Sequence, residues 1–252
     1  MKNFILFFNS NEGSTAIMSQ LKKSELFNIL WLEPFDNHHL KKELKDQDLE
    51  DILSYTYTND NSSLSDLYKE YSNTKLDYLY SNRSTGFKMR PRNLDHVIPI
   101  LKEQKIHVFV LIRENILKSA ISRCQTNLLQ FELAQGKIKE NPPITIDISV
   151  LQEKINLCKK INQEKYKLLE NLKKLNISAS PLYYEKFCSN KLEFFKDIFQ
   201  KLEIKISAQD LCDFCNQELY YKKVHSDDIS KFIVNYQEVL DYIQKNKLDN
   251  YL

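Results

Sequence analysis

A chain of 252 residues with only three glycines, Gly13, Gly86 and Gly136, has few points where its backbone can take left-handed geometry or approach a ligand closely. Average usage would supply roughly 18. The dinucleotide fingerprint needs a glycine triplet and a Walker A loop needs a glycine pair before its lysine, so neither can be written on these positions. Collagen-like and glycine-linker chains are excluded by the same count. Each glycine that remains is a candidate for a backbone site that no other residue fills.

Elsewhere the chain has the material for a core. Hydrophobic residues make up 42% and charged residues 28%, the usual balance of a globular protein. Lys and Arg number 36 against 34 Asp and Glu. That near-neutrality excludes a bulk attraction to nucleic acid or to a membrane surface, but leaves room for a local basic pocket. The first apolar run, Phe4 to Phe8, is too short for a signal peptide and reads as a buried strand. No stretch approaches the roughly 20 apolar residues of a membrane span. Five cysteines, an odd number at irregular spacing, point to free thiols in a reducing compartment. The expectation is a cytoplasmic protein without stable membrane insertion and without a nucleic-acid partner. Cys212 and Cys215 form a lone CxxC. On a helix that spacing puts both thiols on one packed face, and with no second pair or ligand histidines no metal is expected.

Hydrophobic patterning predicts short buried strands at 4–8, 29–32, 85–89, 108–112 and 180–184. Helices are predicted at 14–23 and 115–133, the second closed by Gly136, and at 149–175, 192–202, 208–220 and 229–245. The segment 37–80 is polar and helical in pattern with a break at 59–63, and Asp95 is placed to cap a helix carrying Val97, Ile98 and Leu101. Strands alternating with helices imply an α/β fold, a small doubly wound parallel sheet flanked by many helices, within a single domain over 1–252. Ligands in such folds bind beyond the carboxyl ends of the strands. Attention therefore falls on the loops after Phe8, Leu32, Met89 and Ile112.

The first loop runs Asn9-Ser10-Asn11-Glu12-Gly13-Ser14-Thr15. A strand enters a glycine turn and then a helix start, whose amides and hydroxyls suit a phosphate; the same residues also serve a plain helix cap. Arg113 ends the most buried strand and Ser122 follows nine residues later. An arginine there suits bidentate phosphate binding or a salt bridge at the sheet edge. Gly86-Phe87-Lys88-Met89-Arg90 brings two cations to another strand end, and Lys222-Lys223-Val224-His225 forms a basic loop before the last helix. Together these segments bring cations or phosphate-cradling donors to one rim, as a doubly phosphorylated ligand requires.

In their order along the chain, these segments resemble the sulfotransferases that use 3′-phosphoadenosine 5′-phosphosulfate (PAPS), especially the bacterial branch with carbohydrate and lipid acceptors. Gly13-Ser14-Thr15 resembles the 5′-phosphosulfate loop, and FVLIRENILKSAIS, Phe109 to Ser122, resembles the 3′-phosphate motif. STGFKM resembles a family strand ending in Lys. PLYYEKFCSNK resembles the YEDL-type strand end, and KKVHSDDISKFIVNYQEVLDYI the C-terminal segment. The resemblance implies a P-loop-like sheet and PAPS as co-substrate, with no metal. It implies sulfuryl transfer to a hydroxyl of a carbohydrate, lipid or other small acceptor.

The resemblance also implies roles for residues. Asn11, Gly13, Ser14 and Thr15 line the 5′-phosphosulfate loop. Arg113 and Ser122 bind the 3′-phosphate, and Lys222 and Lys223 lie in the segment closing over the nucleotide. Glu33 stands about where several members carry a carboxylate base, with His38 and His39 as alternatives. One departure matters: the family loop reads Arg or Lys, then Ser, then Gly, where this chain has Asn11 and Glu12. Asn11 brings no charge to the sulfuryl group, a loss of about 2–4 kcal/mol if uncompensated. Lys88 is the first candidate to replace that cation and Arg90 the second. The competing readings are a nucleotide-binding relative without catalysis and a P-loop small-molecule kinase, though the GK[ST] of the kinase is absent. Neither the acceptor nor the oligomeric state has a sequence signature.

Overall fold

A computed structural model describes residues 2–10, 12–30, 46–58, 60–71, 79–91, 94–124, 143–218 and 228–248. They belong to two compact units, Met1–Ile112 with Lys167–Glu218, and Arg113–Tyr166 with Leu219–Leu252.

The first unit is built on a five-stranded sheet in the order β2-β3-β1-β4-β5. Its strands are β1 (Phe4–Phe7), β2 (Phe27–Ile29), β3 (Ser84–Met89), β4 (His107–Ile112) and β5 (Ala179–Tyr183). Every neighbouring pair is parallel, so the α/β parallel-sheet expectation holds. FILF and HVFVLI are buried at every position. Unbroken apolar runs, not alternation, are what a sheet covered on both faces demands. From β1 the chain crosses to β2 and β3 on one side, then to β4 and β5 on the other. The carboxyl end of β1 therefore lies where the strand order reverses, the position at which such sheets bind ligands.

The helices in chain order are α1 (Ser14–Lys22), α2 (Asp46–Thr58), α3 (Asn61–Tyr71), α4 (Leu94–Glu103), α5 (Ile116–Cys124), α6 (Ile148–Lys174), α7 (Tyr184–Ser189), α8 (Lys191–Lys201), α9 (Ala208–Asn216) and α10 (Tyr236–Lys245). One face of the sheet is covered by α2, α3, α4 and the last turns of α6, through Leu53, Leu64, Val97, Leu101 and Leu172. Elsewhere in this unit Phe187, Phe194, Phe195, Phe199 and Phe214 of α7, α8 and α9 pack edge to face. The carbonyls at the end of α9, orphaned in any helix, are met by side chains. Gln20 donates to Phe214, Lys191 to Cys215, and Lys23 to Glu218 just beyond the helix. Cys215 is buried and Cys212 half-buried on α9, both as free thiols.

Phe4 organises the centre of the sheet. Its ring meets Phe27 and Phe109 edge-on, with centroids 6.0 and 5.9 Å away. In the register Phe4 faces Gly86, and its ring fills the space that a Cβ there would need. Tyr57 stacks on Phe87 and its hydroxyl donates to the Phe4 carbonyl at 2.9 Å. Tyr68 is just as deeply set, but its hydroxyl makes no hydrogen bond among the described residues. Burial raises the pKa of both phenols. Tyr68→Phe should therefore leave stability unchanged or raise it, whereas Tyr57→Phe should cost about 1 kcal/mol by removing a satisfied donor. Urea denaturation of the two variants side by side checks the contrast.

At the amino end of β4, the His107 side chain is buried, with Nδ1 2.7 Å from the Ser178 hydroxyl. Burial, reinforced by Lys2 and Lys201, lowers its pKa from 6.5 to about 4. The fold thus holds the imidazole neutral. Its contribution to stability is complete above pH 6.5 and is lost as pH falls towards 4, with a slope of up to about 1.4 kcal/mol per pH unit. In His107→Gln, urea midpoints measured across that window should fall less steeply than in the parent.

In the second unit Leu117, Ala120 and Ile121 of α5 pack with Leu151, Ile155 and Cys158 of α6, and with Val239 and Ile243 of α10. Asn115 caps α5, its side chain accepting from the Lys118 amide at 2.9 Å. The helix predicted over 229–245 is broken. A single 3₁₀ turn at Ile229–Lys231 is followed by a parallel bridge between Ile233 and Ile144, and only then by α10. The Asn235 side chain bonds both the amide and the carbonyl of Ile146, taking the role of a backbone ladder.

Smaller shifts have local causes. The second strand is described at Phe27–Ile29, two residues earlier than the predicted start, because Asn28, polar in sequence, is satisfied inside by Tyr80 and Thr85; residues 31 and 32 of the predicted strand lie outside the described residues. The last strand ends at Tyr183, and Tyr184 opens α7. Asp95 lies within the first turn of α4, which starts at Leu94. The helix predicted from 208 to 220 ends at Asn216. α5 is described only to Cys124, and Gly136 lies outside the described residues.

Candidate functional site

The loop after β1 leaves the sheet at its carboxyl edge. Phe8 extends the ladder one residue beyond the strand, its amide donating to Met89 at 3.2 Å. The loop closes on Gly13, with φ 79° and ψ 8°, which is the residue before α1. Among residue types only glycine takes this left-handed geometry without steric cost. There is also no room for a side chain, since a Cβ on Gly13 would overlap the Tyr184 ring. The Gly13 carbonyl accepts from Ala16 and Ile17, and no side chain at the cap position bonds the first turn of α1. Ser14 is the first helical residue, not the cap, and is buried; Thr15 beside it is half-buried. The positive end of α1 thus faces the loop, the arrangement that favours an anion.

The loop's own acid is turned inward. Glu12 is 2% exposed, and its carboxylate accepts from the Asn9 amide at 2.8 Å. A charge this deeply buried has to be hydrogen-bonded to persist. Glu12 therefore acts as an internal clasp of the loop, with its charge carried inside it.

A cation reaches the loop from the neighbouring strand. Lys88 lies in β3 opposite Leu6 of β1. Its ammonium is 2.8 Å from the Thr15 hydroxyl and 4.7 Å from the centroid of the Phe8 ring. The structure thus brings together Gly13, Ser14, Thr15 and Lys88. Arg90 follows directly after β3 and is half-buried. The contributions of Phe8, of Tyr184 over Gly13 and of the inward Glu12 were missed in the sequence. None of the three has a signal in the sequence alone, because the Phe8 contact depends on the register that pairs Leu6 with Lys88 and the other two on burial and on a distant segment.

Arg113 and Ser122 belong to the second unit. Arg113 follows β4, and its carbonyl accepts from Asn162 at 2.9 Å. Ser122 is buried on α5. Asn11, Glu33, His38, His39, Lys222, Lys223 and His225 lie outside the described residues. Among the described residues no group of three or more His, Cys, Asp or Glu side chains is placed to hold a metal ion. Among them, too, no helix is long and apolar enough to cross a membrane.

No family model matches the sequence, and no curated protein matches it. Among solved structures, the chain is similar to a sulfotransferase from Alicyclobacillus acidocaldarius, with TM-score 0.44 and 10% identity over 92% of this chain and 89% of that one. It is similar to mouse sulfotransferase SULT7A1 complexed with PAP, with TM-score 0.48 and 12% identity over 99% of this chain and 85% of that one. A third likeness is to the sulfotransferase domain from the curacin biosynthetic pathway, with TM-score 0.45 and 12% identity over 91% of this chain and 82% of that one.

Proposed function

We propose that this chain transfers a sulfuryl group from PAPS to a hydroxyl of a carbohydrate, lipid or other small acceptor. The observation that carries the reading is the Lys88 ammonium, 2.8 Å from the Thr15 hydroxyl at a glycine-turned helix start. A loop that lacks the family's own cation is thereby given one from the adjacent strand. Ser14, Thr15 and the first amides of α1 take the 5′-phosphate. Lys88 supplies the charge that Asn11 cannot. In the same proposal Arg113 and Ser122 hold the 3′-phosphate, Lys222 and Lys223 join the nucleotide site, and no metal takes part.

The acceptor oxygen attacks sulfur in line, and the bond from sulfur to the bridging phosphate oxygen breaks. A sulfate ester forms, and adenosine 3′,5′-bisphosphate departs with the electron pair of that bond. The acceptor proton passes to a carboxylate, for which Glu33 is the proposed residue. Lys88 and the helix-start amides stabilise the charge gathering on the leaving phosphate. Calorimetric titration with adenosine 3′,5′-bisphosphate tests the reading. Binding that ATP with Mg²⁺ does not reproduce is the expected result. Stabilisation by ATP with Mg²⁺ and none by the bisphosphate would replace it with phosphoryl transfer.

The buried Glu12 carboxylate favours a second reading, nucleotide binding without turnover, because it sets a negative charge inside the loop that would receive an anion. Bisphosphate binding with no sulfated product across carbohydrate, lipid and phenol acceptors would select it.

A further inference from the structure

We propose that Phe8 is a positioning residue, whose ring holds the Lys88 ammonium at the mouth of the loop. As a role in ligand binding, this rests on the reading of Lys88 as the cation that meets the phosphosulfate.

The placement follows from strand geometry. Leu6 of β1 is paired with Lys88 of β3. Side chains two residues apart on a strand share a face, so Phe8 and Lys88 emerge on the same side of the sheet. The ring of Phe8 is held by its surroundings, with the residue 3% exposed. The Lys88 Nζ sits 4.7 Å from the ring centroid, within the range at which the negative ring face attracts a cation. Nζ also donates to the Thr15 hydroxyl at 2.8 Å. These two of its contacts, from two elements, bear on the end of a four-carbon side chain that is costly in rotamer freedom to order.

The chemistry of the ring matters as much as its position. An aromatic face attracts an ammonium without taking a proton from it and without carrying a full negative charge. A carboxylate in the same place would offset the charge that the anion needs. The face of Phe8 thus orients Lys88 without neutralising it. Removing the ring should loosen the cation and keep its charge, a different defect from removing the lysine.

The test reads these two effects separately. In nucleotide-free protein the Lys88 ε-methylene NMR signals, assigned through Lys88→Met, should be shifted upfield by the ring current of Phe8. Phe8→Leu, which keeps an apolar side chain, should return them to the ordinary lysine position, and Phe8→Trp should keep them shifted. Phe8→Leu should weaken adenosine 3′,5′-bisphosphate binding about fivefold to thirtyfold, with Phe8→Trp near the parent. Phe8→Met is a second ring-free variant should Phe8→Leu unfold. Unshifted signals in the parent, or parent-like affinity in a folded ring-free variant, overturn the proposal. Parent protein with shifted signals but no bisphosphate binding overturns the sulfotransferase reading alone, because the shift is recorded without nucleotide.

Discussion

Gly13→Ala is expected to destabilise the first unit by about 2–5 kcal/mol and to remove anion binding at the loop. Two independent costs combine. A Cβ at φ 79° meets the following carbonyl, a penalty of about 1–2 kcal/mol for an L residue in left-handed geometry. The same Cβ lands on the ring of Tyr184, whose Cδ2 would be only 2.7 Å away. Overpacking of that kind costs about 1–3 kcal/mol. The double variant Gly13→Ala with Tyr184→Ala separates them, since relief of the overlap leaves the dihedral cost in place. Gly86→Ala provides the contrast. Its φ is not left-handed, so its loss should come from the Phe4 ring alone. Urea midpoints read all of these, and a Gly13→Ala protein within about 0.5 kcal/mol of the parent would show that the turn does not depend on glycine. The scarcity of glycine thus has a physical counterpart. Both described glycines sit where an aromatic ring occupies the space of a side chain.

What could be read in advance divides along a physical line. The strands at 4–8, 85–89 and 108–112 were legible because a buried parallel strand is an unbroken apolar run. The start of β2 was not legible because Asn28 is buried in its middle, and only the Tyr80 and Thr85 partners explain how. The interruption between Lys231 and Tyr236 was invisible for a similar reason. Its cause is a bridge to Ile144 and the grip of Asn235 on Ile146, both far away in sequence. At the candidate site, Gly13 was legible from its place just before a helix start and Lys88 from its place near a strand end. The inward turn of Glu12 was not. A carboxylate three residues from an amide can face either way, and burial decides it. Tyr184 over Gly13 joins segments about 170 residues apart, beyond the reach of any local pattern.

Lys88→Met is the substitution with the largest effect on chemistry. If Lys88 replaces the missing loop cation, its loss should lower sulfuryl transfer from PAPS about 10²- to 10³-fold, as loss of one preorganised transition-state donor does. Methionine reproduces the apolar stem of lysine as far as Cε, so the half-buried position in β3 stays filled and the fold should survive. The defect should fall more on kcat than on KM for the acceptor, because the charge at the leaving phosphate grows only as the sulfur–oxygen bond breaks. Thr15→Val should give a smaller loss of the same kind, since it removes the hydroxyl 2.8 Å from Nζ and leaves the ammonium over the Phe8 ring. Full transfer activity in Lys88→Met would exclude Lys88 and move the search to Arg90, the next cation after β3. Glu12→Gln keeps an acceptor for the Asn9 amide while removing a negative charge from the loop. If an anion binds there beside Lys88, bisphosphate affinity should rise in Glu12→Gln and fall in Lys88→Met, opposite responses that the electrostatics of one shared site requires.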